Sequence, residues 1–143
     1  MLTGRRDQGS VLMLMPAAVL IVLLLGAIAV DLTVVHLRQR AAISVAASAA
    51  NDAVTYGLDQ SALRRGEGYH LDTNRVTRAV TESIESQGLE DDLVSPPEIS
   101  QPTPDTVTVV LHVRARYLFA RALPHGPTDT IVTATASATV DQR

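Results

Sequence analysis

The side chains able to do chemistry are few and scattered. Histidines stand at His36, His70, His112 and His125. None forms an H-E-x-x-H pair or another tight spacing that would hold a metal. His36 falls just past an apolar run and His112 on the polar side of an alternating segment, so both read as surface or interfacial residues. Glu82 and Glu85 are near enough in sequence to suggest a carboxylate pair for acid–base work. No partner base or metal ligand accompanies them, and a solvated helix face explains them better. Glu90-Asp91-Asp92 lacks the further oxygen ligands of a calcium loop and reads as a solvated loop. Gly66-Glu67-Gly68 is no phosphate loop, because no strand precedes it and no G-K-[ST] follows. Serine-nucleophile and Walker motifs are missing. The chain has no cysteine, which excludes disulfides, thiol catalysis and cysteine metal sites. A net charge of −3 offers no footprint for nucleic acid. All twelve basic residues are arginine. The expectation is a protein with no catalytic residue, no cofactor, no metal and no small-molecule substrate.

One acid stands apart. Asp31 ends a run, Val11–Val30, that carries no charge and only one conventional helix breaker, Pro16. Twenty residues rising about 1.5 Å each cover roughly 30 Å, the thickness of a hydrocarbon core. Only a helix satisfies its own backbone in lipid, and Pro16 is expected in the first turn or two, where a missing N–H costs least. Asp31 then either marks the end of the span or makes a functional contact at the lipid boundary. Arg5 and Arg6 precede the run, so positive-inside reasoning puts residues 1–10 in the cytoplasm as a short tail. Arg38 and Arg40 lie farther out and weaken the asymmetry. The rival reading is a cleaved secretory signal, with Ala27-Ile28-Ala29 as an A-x-A site. Against it, the run exceeds the usual roughly 7–15 apolar residues, and the helical pattern continues past Ala29.

Residues 31–56 contain neither Pro nor Gly, and alanine recurs through them. Gly57 is a natural stop at the C′ position. One continuous helix is expected from about Gly9 to Tyr56, on the order of 70 Å long, with its second half outside the membrane. Ala42, Ala46, Ala49, Ala50 and Ala53 fall near one face. That face either packs on the chain's own domain or forms a helix–helix seam with a copy or a related subunit, as small-residue faces permit.

At this point the sequence resembles a family. The start Gly9-Ser10-Val11-Leu12-Met13-Leu14-Met15-Pro16 looks like that of TadE/TadG-like proteins of the Tad (tight adherence, Flp) pilus assembly system. Asp31-Leu32, Leu37-Arg38-Gln39-Arg40 and the alanine-rich run 41–53 continue the likeness, which covers roughly residues 5 to 57. Processed pilin-like members carry a Glu five residues after the Gly, where this chain has Leu14, so the uncleaved TadG-type start is the nearer likeness. The chain has neither the length nor the DxSxS motif of a von Willebrand A-type domain. The resemblance implies a minor pilin-like or assembly component of a bacterial surface system. Its partners would be the bilayer and pilin-like or assembly proteins, itself included, and its place the cytoplasmic membrane with the C-terminal domain outside.

The distal residues 57–143 read as a small α+β domain. A polar connection spans 57–71. Asp72 or Thr73 caps a helix ending before Gly88, with Val76, Ala79, Val80 and Ile84 on its apolar face. Prolines at 96, 97, 102 and 104 bracket a short edge strand at Glu98–Gln101. A clear strand then alternates Val107, Val109, Leu111, Val113, Ala115 and Tyr117 against polar neighbours, with Val110 as the exception. A short helical turn at Leu118–Leu123 and the turn signal Pro124-His125-Gly126-Pro127 lead to a last strand with Val132, Ala134, Ala136, Ala138 and Val140 facing one way. The fold expected is α+β: a long N-terminal helix, a small antiparallel sheet and one further helix in a pilin-like layout. With aromatics at 3%, aliphatic residues and alanine must form the core.

Overall fold

A computed structural model describes the backbone of residues 7–66, 68 and 70–140, and side-chain surroundings from Leu14 onward. Arg5 and Arg6 of the basic tail, and Glu67 of the Gly-Glu-Gly segment, lie outside the described residues. The chain is α+β. Helix α1 (Asp7–Tyr56) is followed by α2 (Gln60–Arg65), α3 (Thr73–Ser86) and strands β1 (Glu98–Thr103), β2 (Thr106–Arg116) and β3 (Asp129–Thr139). Two 3-10 turns, Glu90–Asp92 and Ala120–Ala122, link them.

Helix α1 runs unbroken for 50 residues, about 75 Å. It starts at Asp7, so Pro16 lies in the third turn rather than the first or second. The helix continues through it, as apolar helices in lipid-like surroundings tolerate. The helix stops at Gly57, but not through a left-handed glycine: Gly57 is absent from the positive-φ residues. Glycine is needed there for want of space. A Cβ there would stand 2.2 Å from the Ala53 carbonyl oxygen and 2.6 Å from Val76 Cγ2.

The connection 57–71 is more ordered than its polar composition suggests. Asp59 caps α2 through the N–H groups of Ser61 and Ala62, and Gly66 at φ 76° ends it. The Asp59 N–H donates to the His70 carbonyl and the Asp72 N–H to that of Gly57, both at 2.8 Å, which closes the loop. Side-chain acceptance from Ser61 leads a set of hydrogen bonds that hold the Asp59 carboxyl below its ordinary range. Asp72 then caps α3 by accepting from Asn74 and Arg75. The acidic cluster forms the first 3-10 turn, and its Asp92 pairs with Arg38 of α1 at 3.0 Å.

The sheet is antiparallel, ordered β1-β2-β3. The β2–β3 pairing is unbroken from Thr106↔Thr139 to Arg116↔Asp129, while β1–β2 shifts register between Ser100 and Thr103, around Pro102. Alternation sorts the sheet's faces as expected. Val107, Val109, Leu111, Val113 and Ala115 are buried, with Val132 and Ala134 beside them. The outer face carries cross-strand polar contacts, Thr106 to Thr139 at 3.1 Å and Thr108 to Ser137 at 2.8 Å.

The second half of α1 is the other wall of this core. Ala42, Ala46, Ala49, Ala50 and Ala53 pack with the β2 valines and with Val76, Val80 and Ile84 of α3. Small side chains let the helix approach the sheet closely. Residues 31–56 therefore do not act as a stalk that lifts a separate domain. They form its central element, and a division at Tyr56 cuts through one core.

Candidate functional site

The alanine face can be assigned directly. All five alanines have no exposed surface, and what covers them belongs to the same chain. A seam with a second chain along this face has no free surface in this fold. The small-residue spacing identified a close-packed face but not what it meets.

Asp31 makes a contact that no local pattern announces. Its Oδ1 accepts from the backbone N–H of Leu118 at 2.7 Å and of Phe119 at 3.0 Å, and its Oδ2 accepts from Ala120 N–H at 2.7 Å. These donors are 87 to 89 residues away in sequence. The donors at the start of the 3-10 turn Ala120–Ala122 are left open by its own backbone pattern, as at any helix start. Asp31 thus caps from α1 a turn that belongs to the β2–β3 loop, and the carboxylate is buried at 6% exposure. Burial opposes its ionisation. The three N–H donors, with Arg121 adding favourable charge, outweigh that and hold the carboxyl below its ordinary value, because a carboxylate that accepts several backbone bonds is favoured over the acid.

The loop held this way is compact. Its neck closes through Tyr117 N–H to the Thr128 carbonyl at 3.0 Å. Gly126 packs so tightly that a Cβ would collide with the Ala120 carbonyl. His125 turns the chain at φ 65°. Leu118, Phe119 and Leu123 remain about half exposed. Phe119 and Leu123 face Leu23, Leu24, Ala27 and Ile28 of α1 across a groove of about 310 Å³.

The remaining candidates do not converge. Glu82 lines an open groove with Asp52, Arg75 and Arg78, whereas Glu85 faces a different one with Glu90 and Leu93. The two carboxylates do not form a pair. His112 bonds Thr133 at 3.2 Å and approaches Glu98 at 3.3 Å on the polar sheet face. Among the described residues no group of three His, Cys, Asp or Glu side chains is placed to hold a metal.

Comparison with known proteins gives no match. No family model fits the chain, and no curated protein or solved structure resembles it significantly.

Among the described residues two surfaces lack partners. From Leu14 to Val30 α1 is largely bare: Leu20, Val22, Leu23 and Leu25 are each at least 60% exposed. This helix is long and apolar enough to cross a membrane and is compatible with an anchor. The second surface is the free edge of β3. Tyr117 N–H bonds Thr128 and Val140 N–H bonds Asp105, and the register between them is continuous. The even-numbered β3 residues therefore bond to β2, and the backbone groups of Ile131, Thr133, Thr135 and Ser137 point outward. Those outward groups have no backbone partner among the described residues. The opposite edge, β1, is shorter and carries Pro102 and Glu98, devices that discourage strand addition.

Proposed function

We propose that this chain is a single-pass membrane protein that works by contacts and not by catalysis, as a minor pilin-like or assembly component of the TadE/TadG-like kind. The observation that carries the reading is α1 itself. One rigid helix is bare and rich in large apolar residues in its first half and forms the core of a folded domain in its second. Water does not favour such a bare half, whereas a bilayer does. The basic tail and the acid past the span support an N-terminus in the cytoplasm and the domain outside it.

With the alanine face taken up internally, the contacts to pilin-like or assembly proteins fall to the bare half of α1 and the β3 edge. Two copies in one membrane stand the same way up, so their β3 strands run in the same direction. A two-fold antiparallel β3–β3 pairing would invert one anchor. The edge instead suits a partner strand that runs toward the membrane.

Intact mass and N-terminal sequence from membrane and soluble fractions test the reading. A full-length chain held in the membrane is the expected result. A soluble chain starting near Val30 would overturn it in favour of a secreted binding module, and that chain would keep its core, since the core cluster begins beyond Asp31. The edge has its own test. Thr135→Pro removes an outward N–H and leaves the β2 ladder intact, so partner capture should fall while the fold survives. Undiminished capture by this variant would remove β3 from the interface.

A further inference from the structure

The groove between α1 and the β2–β3 loop has walls of unusual origin. One is the last turns of the apolar run and the other is a loop of the folded domain. Asp31 fixes the height of that loop at the end of the run. Leu24 lies seven residues before Asp31, so it is about 10 Å nearer the membrane centre at 1.5 Å per residue. Phe119 and Leu123 line one groove with Leu20, Leu24 and Ile28, so the groove they share opens on the membrane side of Asp31.

A loop entering hydrocarbon must satisfy its backbone donors, and this one nearly does. The N–H groups of Leu118, Phe119 and Ala120 go to Asp31. Those of Tyr117, Ala122, Leu123 and Gly126 go to carbonyls of the loop and its neck. Pro124 and Pro127 have none to satisfy. Between Tyr117 and Pro127, only Arg121 and His125 keep an N–H with no partner among the described residues. Both are exposed polar residues, and neither lines the groove. Arg121 has a stem long enough to carry its charge to the headgroups. The apolar side chains of the loop are the ones left bare: Leu118 at 48%, Phe119 at 49% and Leu123 at 55% exposure. Together with the bare helix they make one continuous apolar surface, of a kind that soluble monomers rarely present.

We propose that the tip of the β2–β3 loop, Leu118–Leu123, dips into the bilayer beside α1, and that the groove between them holds an acyl chain of a phospholipid from the leaflet on the domain's side. This rests on the reading of α1 as a membrane anchor. The domain is thereby seated on the membrane at two points, the helix and the loop, with Asp31 joining them.

The chain has no tryptophan, so a single introduced Trp is an unambiguous probe. Full-length Phe119→Trp, Leu24→Trp and Thr135→Trp variants are reconstituted in phosphatidylcholine vesicles with brominated acyl chains. Bromine quenches an indole only on contact. Trp at 119 and at 24 should lose most of their fluorescence, and Trp at 135 on the outer sheet face should lose little. Leu123→Trp serves as a second loop probe should Phe119→Trp misfold, and should behave alike. Quenching at 24 with none at 119 or 123 would overturn the proposal and leave the anchor standing. Quenching at none of these would remove the anchor and the proposal together. Loop quenching that disappears as protein is packed more densely in the vesicles would give the groove to a second copy instead of lipid, and would also overturn it.

Discussion

The two halves of α1 invert the usual relation between size and burial. From Val19 to Ile28 the large side chains point outward, and Leu20 and Leu23 are each 67% exposed. From Ala42 to Ala53 the small ones point inward at 0%. A helix in water buries its large residues and exposes its small or polar ones. No break separates the halves, so the difference lies in what surrounds each. The second half is read by a sheet that needs close approach. The first half suits a medium that solvates hydrocarbon.

The strongest way to break that comparison is to exchange the rules of the halves. Ala46→Leu forces a larger side chain between α1 and the sheet and should destabilise the domain by about 1–3 kcal/mol, as overpacking does. Thermal unfolding in detergent reads this, and Val22→Ala in the bare half, at a residue 67% exposed, should leave the same transition in place. Equal shifts for both would mean that the halves do not differ in role. Gly57→Ala tests the end of the packed half. Its Cβ meets the Ala53 carbonyl and Val76, so a loss at the lower end of about 1–3 kcal/mol is expected, and an unchanged midpoint would mean that the backbone yields freely there.

The boundary between the halves offers a more local test. Asp31→Ala should speed amide exchange at Leu118, Phe119 and Ala120 while the core amides of β2 stay protected. The contact also depends on pH. The folded carboxyl titrates below its ordinary value of 3.8, so its contribution is present above that value and is lost as pH falls through the lower folded one. Loop exchange should therefore hold steady from neutral to mildly acidic pH and rise only in stronger acid. A rise already at pH 6 would contradict the ionised cap. The smallest effect belongs to the pair Arg38–Asp92. With Arg38 46% exposed, Arg38→Ala should cost only about 0.2–1 kcal/mol, and less in high salt.

Much of the fold was legible because its signals are local. Alternation announced β2, despite Val110, and β3, and the Asp72 cap with Val76, Ala79, Val80 and Ile84 announced α3. What escaped the sequence was relational. Helix α2 has only six residues, too few for a period, and the sequence reads its surroundings as a polar connection over 57–71. Gly57 showed where α1 stops, but not that the Ala53 carbonyl and Val76 of another helix leave no room there for a side chain. The alanine spacing described a face and was silent on its partner. Asp31 was visible as an odd acid beside an apolar run, yet nothing near it in sequence points to Leu118.

If the apolar half of α1 anchors the chain as proposed, the unbroken helix also behaves as a lever. The packed half extends about 38 Å beyond Asp31 at 1.5 Å per residue, so a 10° change in the tilt of the anchor would swing its far end by roughly 6–7 Å. Bilayer thickness sets such tilts through hydrophobic mismatch. The orientation of the β3 edge toward its neighbours would then follow the thickness of the membrane in which the chain stands.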